Sequence, residues 1–195
     1  MKNMDMTLPR SIARGLASAA LLALGACAPR ADLPVVTGID AERYLGRWHE
    51  IASIPQWFQR ACVADTTAEY GKAPDGTIAV TNGCRKADGT RSVATGSARF
   101  VAAPGEGKLE VTFLRLFGDP LWLISGDYWV VALDPDYRWS VVGHPGRDYG
   151  WILSRDPTMP RETLLALRQR LVSVGYDTCL FQVTSDPARP RLCDL

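Results

Sequence analysis

The sequence predicts an all-β domain: an eight-stranded antiparallel up-and-down barrel with one C-terminal α-helix packed outside it. Three observations predict it. From residue 40 onward, short runs of β-branched and aromatic residues recur, broken by turn residues about every 8–12 positions. Eight such runs can be counted, the strand number that closes a barrel around one small ligand. A single stretch near residues 160–174 has helical instead of two-residue periodicity.

The strands are expected at about 47–54, 63–71, 77–84, 92–101, 108–115, 127–133, 138–143 and 149–154. The turns between them carry Pro74-Asp75-Gly76, Asp88-Gly89, Pro104-Gly105 and Asp134-Pro135-Asp136, residues with backbone reasons to bend. In the helix, Leu164, Leu167, Leu171 and Val174 fall 3, 4 and 3 positions apart, which makes one buried face. Thr158 or Met159 suits its start, Pro160 its first turn, and Gly175 its stop.

The beginning of the chain reads differently. Lys2, Arg10 and Arg14 precede an uncharged apolar run, Gly15 to Ala26, that ends at Cys27. A basic segment, a short apolar core and small residues before a cut describe a secretory signal. The run is too short to cross a hydrocarbon layer, which takes about 20 residues of helix. Leu24-Gly25-Ala26-Cys27 resembles the lipobox of bacterial lipoproteins, whose cysteine is acylated and becomes the first mature residue. Ala28, in place of an aspartate, implies the outer membrane, with the domain facing the periplasm. The expected organisation is therefore 1–26 signal peptide, 27–39 lipidated tether, 40–186 barrel domain and 187–195 C-terminal tail.

Charge and cysteine content narrow the function. The formal net charge is +1, with no basic tract, which argues against nucleic acid as a partner. Arg161, Arg168 and Arg170 fit the solvated face of the helix. No CxxC or HxxxH spacing exists and there are only two histidines, so no metal or other cofactor is expected. Of five cysteines, acylation of Cys27 leaves Cys62, Cys84, Cys179 and Cys193, an even set suited to an oxidising compartment. Placing Ala68 opposite Ile78 in a hairpin also sets Cys62 opposite Cys84 on one face. That favours Cys62–Cys84 with Cys179–Cys193.

Three blocks then give the chain a resemblance. Tyr44-Leu-Gly46-Arg-Trp48 looks like the GxW block of the lipocalins. Asp134-Pro-Asp136-Tyr137 looks like their second block, and Tyr149-Gly-Trp-Ile-Leu-Ser-Arg155 like their third. The likeness runs from about residue 38 to 186 and is nearest to bacterial outer-membrane lipocalins and apolipoprotein D-like proteins. His49 and Pro135 depart from the family pattern. The resemblance keeps a rival disulfide open, in which Cys62 holds the C-terminal tail. It implies that Gly46, Trp48, Asp136, Tyr137 and Arg155 are structural. Gly46 permits a sharp entry into the barrel. Trp48 plugs the closed end, and Arg155 lies over its ring as a cation–π partner.

It also implies a calyx for a small hydrophobic ligand, a fatty acid or lysophospholipid. Carried over residue by residue, the inward wall comprises Tyr70, Val80, Val111, Phe113, Tyr128, Val130, Val141, Tyr149 and Trp151. Trp57 and Phe58 in the first connection, with Arg115 and Phe117 in the apolar stretch 113–124, are expected at the open mouth. Arg115 is the candidate for a carboxylate or phosphate head group. An apolar mouth also leaves room for a homodimer. The alternatives are a lipocalin-fold enzyme or a filled barrel acting as a structural or interaction lipoprotein. No G-x-S-x-G elbow is present, and paired cysteines leave no free pocket thiol, so the chain is read as a carrier and not as an enzyme.

Overall fold

Eleven strands and two α-helices build residues 32–195, the part of the chain that this computed structural model describes. The signal segment, the first residues of the tether and Cys27 lie outside the described residues. Asp32–Leu195 forms one compact unit holding every described strand.

The barrel strands are β1 (Gly46–Ser53), β2 (Cys62–Lys72), β3 (Ile78–Lys86), β4 (Arg91–Phe100), β5 (Lys108–Thr112), β8 (Gly126–Leu133), β9 (Trp139–Gly143) and β10 (Gly150–Ser154). Each pairs antiparallel with the next in this order, and β10 returns to β1 to close the ring. Between β5 and β8 stands a separate hairpin, β6 (Arg115–Leu116) with β7 (Asp119–Pro120). A two-residue strand, β11 (Gln182–Val183), adds to the free edge of β1 at Ala52 and Ser53. The fold is the expected closed eight-stranded barrel with one extra strand.

Helix α1 (Ala41–Tyr44) was not anticipated. Asp40 caps it, its carboxylate accepting from the N–H groups of Glu42 and Arg43. Helix α2 (Arg161–Ser173) lies against the barrel's outer surface. Its Leu164, Leu167 and Leu171 are buried together with Val174, and Gly175 at φ +87° ends it.

Two cores result. One lies between α2 and the outer face of the barrel and contains Ile51, Val131, Val141, Ile152 and Phe181. The other fills the barrel interior around Trp48, Tyr70, Val80, Val130, Val142 and Leu153. At about 25 cal/mol per Å² of apolar area removed from water, both contribute strongly to stability.

The segment expected as a tether is bound to the barrel from Leu33 onward. Leu33 and Ile39 are buried, and Val36 exchanges backbone hydrogen bonds with Val130 and Gly107. Its Pro-rich composition hides an apolar residue every third position. The C-terminal tail also packs, with Leu192 fully buried in the outer core.

The β2–β3 register differs from the expected one. The turn centres on Asp75, so Ala68 faces Asn82 and not Ile78. Two irregularities in β2 then slide Cys62 opposite Lys86. Cys84 becomes its diagonal neighbour, with a Cα–Cα separation of 5.5 Å, and the two are bonded. Cys179 is bonded to Cys193.

Candidate functional site

Alternate turns of the meander divide the barrel into two ends. One end gathers α1, Trp48 and Arg155. The other gathers the β1–β2 connection, the 113–125 segment and the 144–149 turn.

At the first end the chain is closed. Trp48 is fully buried and its indole N–H donates to the Tyr44 carbonyl at 2.9 Å. The Arg155 guanidinium lies 3.8 Å from the Trp48 ring centroid. It donates to the carbonyls of Arg43, Tyr44, Arg47 and Tyr137. Gly46 enters the strand at φ +90°, and a Cβ there would stand 3.4 Å from Arg155. Tyr137 is buried and accepts from the Asp40 N–H. Asp136 is exposed, so the structural carboxylate of this turn is Asp134 instead. Asp134 accepts from Arg138 and from two backbone N–H groups, and the Arg138 hydrogen bond holds its carboxyl below the usual carboxylate range.

Above this floor lies a cluster of hydroxyls. Tyr128 Oη is 2.9 Å from Tyr70 Oη and 3.0 Å from Tyr44 Oη, and Tyr44 Oη is 2.9 Å from Ser140 Oγ. Burial pushes all three phenols above their ordinary range, so they keep their protons in neutral solution. Tyr70, Val80, Val111, Tyr128, Val130 and Trp151 belong to the interior cluster. Tyr149 stacks on Trp151 with ring centroids 6.3 Å apart. Phe113 lies over Gly96, where a Cβ would come within 2.8 Å of its ring.

Two candidates are misplaced by the sequence reading. Val141 faces outward into the core under α2, and its neighbour Val142 faces the barrel interior. Strand β9 is buried on both faces, so its apolar run carries no alternation to fix the parity. Arg115 is outside the wall: β5 ends at Thr112, and the guanidinium donates to Ser97 Oγ on the outer face and to the Gly118 carbonyl. It is not available as an interior head-group partner.

Phe117 stands at the tip of the β6–β7 hairpin, 98% exposed and at φ +53°, beside Gly118 at φ +98°. This is the type I′ pattern in which Asn-Gly is usual. Holding a bulky side chain there costs about 1 kcal/mol. Leu114, Leu116, Leu123 and Ile124 of the same segment are also exposed, and Trp57 and Phe58 in the β1–β2 connection form an edge-on pair.

Two polar residues at this end were not among the expected site residues. Asn82 shares the inward parity of Val80, and its carbonyl oxygen is buried without a partner. Glu50 is 8% exposed and accepts from Ser53 Oγ at 2.8 Å and from Gln59 Nε2 at 2.9 Å. A polar residue at an inward position of an apolar strand was the available signal. His144 sits between Asp127 and Asp148, and among the described residues no hydroxyl or thiol hydrogen-bonds its ring.

The family model of the lipocalin-like domain matches residues 39–186. Temperature-induced lipocalin-1 of Arabidopsis thaliana is 42% identical over 161 residues, 82% of this chain and 86% of that protein. Outer membrane lipoprotein Blc of Escherichia coli K12 is 36% identical over 183 residues, 93% of this chain and 99% of that one. Insecticyanin from the tobacco hornworm Manduca sexta superposes with a TM-score of 0.58 at 24% identity, covering 77% of this chain and 82% of its own, a likeness of fold.

Proposed function

The chain belongs to the lipocalin family, and we propose that it is a lipid-anchored carrier of single-chain amphiphiles, fatty acids or lysophospholipids, held tail-first in the barrel. One observation carries this reading. Val111, Phe113, Tyr128, Tyr149 and Trp151 line an apolar, aromatic wall that rises toward a mouth rimmed by exposed Trp57 and Phe58. Apolar walls with a few fixed hydroxyls and an unpartnered acceptor such as Asn82 Oδ1 are the composition of small-molecule sites. Exposed apolar residues at the rim match an acyl chain's route from a membrane surface.

In this reading Cys27 is the acylated residue and residues 1–26 are removed. The tether from Cys27 holds the domain on the outer membrane, facing the periplasm. The name of the Escherichia coli relative, an outer membrane lipoprotein, supports the same address. Neither metal nor cofactor takes part. The protein transports its ligand and does not transform it, since all four cysteines among the described residues are bonded in pairs and His144 lacks a nucleophile.

Native mass spectrometry of the chain from residue 28 onward, followed by organic extraction, tests this. A co-purified lipid is expected, together with micromolar quenching of tryptophan fluorescence by palmitate. The same spectra read whether the apolar rim pairs two copies. An unliganded mass with no quenching by any single-chain lipid defeats the carrier reading in favour of a filled barrel acting through its surface.

A further inference from the structure

The barrel ladder opens at one place. Strand β2 pairs with β1 only between Gly46–Tyr70 and His49–Thr67. Beyond that, the irregularities in β2 carry it away, and β1 keeps β10 on one side and gains β11 on the other. The split holds a cavity of about 110 Å³, lined by Glu50, Ser53, Gln59, Arg60, Thr66 and Arg189 among others. Glu50 and Ser53 face Leu153 and Trp151 across the ladder, so their side chains share the inward parity and the cavity adjoins the calyx. An outer groove of about 710 Å³ meets it through Glu50, Thr66 and Thr184, which line both.

The hydrogen-bonding state of these walls is uneven. The Glu50 carboxylate is buried, and no basic side chain pairs with it among the described residues. A carboxylate only accepts, so the Gln59 amide must turn its nitrogen to Glu50. That leaves Gln59 Oε1 buried without a donor. Arg189 Nε, in the same lining, is buried without an acceptor, and the exposed Arg60 borders the cavity beside it. The lining therefore holds a carboxylate and an amide oxygen without a cationic donor, and a guanidinium N–H without an acceptor. Buried groups in this state favour a ligand that supplies both.

We propose that the β1–β2 split is the head-group subsite for a zwitterionic phosphate ester of an amino alcohol. Its ammonium lies against Glu50 and Gln59 Oε1, and its phosphate lies on Arg60 and Arg189. The acyl chain of the same molecule runs into the calyx, so the inference rests on the carrier reading. It also assigns the head-group role that Arg115 cannot fill. Arg prefers phosphate and carboxylate through charge-assisted hydrogen bonds, and a buried carboxylate discriminates sharply for a cation.

The test compares three lipids of equal chain length by tryptophan quenching. They are 1-palmitoyl-lysophosphatidylethanolamine, 1-palmitoyl-lysophosphatidylglycerol, and uncharged 1-monopalmitoylglycerol. The zwitterionic lipid is expected to bind about tenfold more tightly than the phosphatidylglycerol analogue. Glu50→Gln should erase that ratio and leave monopalmitoylglycerol binding within about twofold. Gln59→Leu, at a half-buried position of the cavity, should lower the ratio too and serves if Glu50→Gln does not fold. Displacement of the lysolipid by soluble glycerophosphoethanolamine would support the subsite with the head group alone as ligand. Monopalmitoylglycerol binding with no head-group ratio, or a ratio untouched by both substitutions, overturns the subsite alone. Failure of all three lipids to bind overturns the carrier reading beneath it.

Discussion

The two ends of this barrel are made by the same strands and obey opposite rules. At the closed end, Trp48 is fully buried and Arg155 satisfies four carbonyls at once. At the open end, Phe117 and Leu123 are more than nine-tenths exposed, and Asn82, Gln59 and Arg189 keep buried polar atoms without partners. The contrast teaches that folding energy is concentrated where the chain closes, which frees the mouth to carry unsatisfied chemistry. Substitutions at the two ends should therefore separate stability from binding.

The largest effect is expected at the floor. Trp48→Ala should destabilise the fold by about 3–5 kcal/mol, since a fully buried indole leaves a cavity. Urea denaturation measures this, and a cost under about 1 kcal/mol would break the comparison. Arg155→Lys comes next at about 1–3 kcal/mol, because an ammonium cannot spread over the ring and reach four carbonyls together. Loss of lipid binding without loss of stability in that variant would move Arg155 to the functional side.

Asp134→Asn should cost about 1 kcal/mol at neutral pH. The sign with pH follows from the lowered carboxyl of Asp134, which Arg138 holds ionised. Its stabilisation is present above the unfolded value of about 3.9 and is lost as pH falls through the lower folded value. Melts of wild type and variant should thus differ at pH near 7 and converge well below pH 4. A gap that persists in acid would assign the effect to shape and not to charge.

The smallest effect on stability belongs to the mouth. Phe117→Asn relieves a left-handed Phe and should leave stability unchanged or raise it by about 1 kcal/mol. The same variant should transfer lipid from vesicles more slowly. Transfer at the wild-type rate would remove the hairpin tip from the capture surface.

Much of the scaffold was legible because its signals are local. Turn residues and alternation placed eight strands within a few residues of their positions, and the leucine spacing placed α2. Val141 was misplaced because Ser140-Val141-Val142-Gly143 is buried on both faces and its parity is silent. Arg115 was misplaced because nothing local marks Thr112 as the end of β5. Glu50 was not among the expected site residues, because its partners Ser53 and Gln59 and the split beside it depend on where β2 departs from β1.

By itself, then, the sequence determined the class of fold and the helix with its buried face. These follow from periodicities of two and 3.6 residues and from turn chemistry, which act over a few residues of chain. Only the tertiary structure decided which face of β9 looks inward, which guanidiniums border the β1–β2 split, and that β11 and not β2 holds the upper edge of β1. Those outcomes depend on pairings between residues up to about 130 positions apart, such as Ala52 with Val183. Long-range pairing is selected by the packing energy of the closed barrel, and no local stretch of sequence records it.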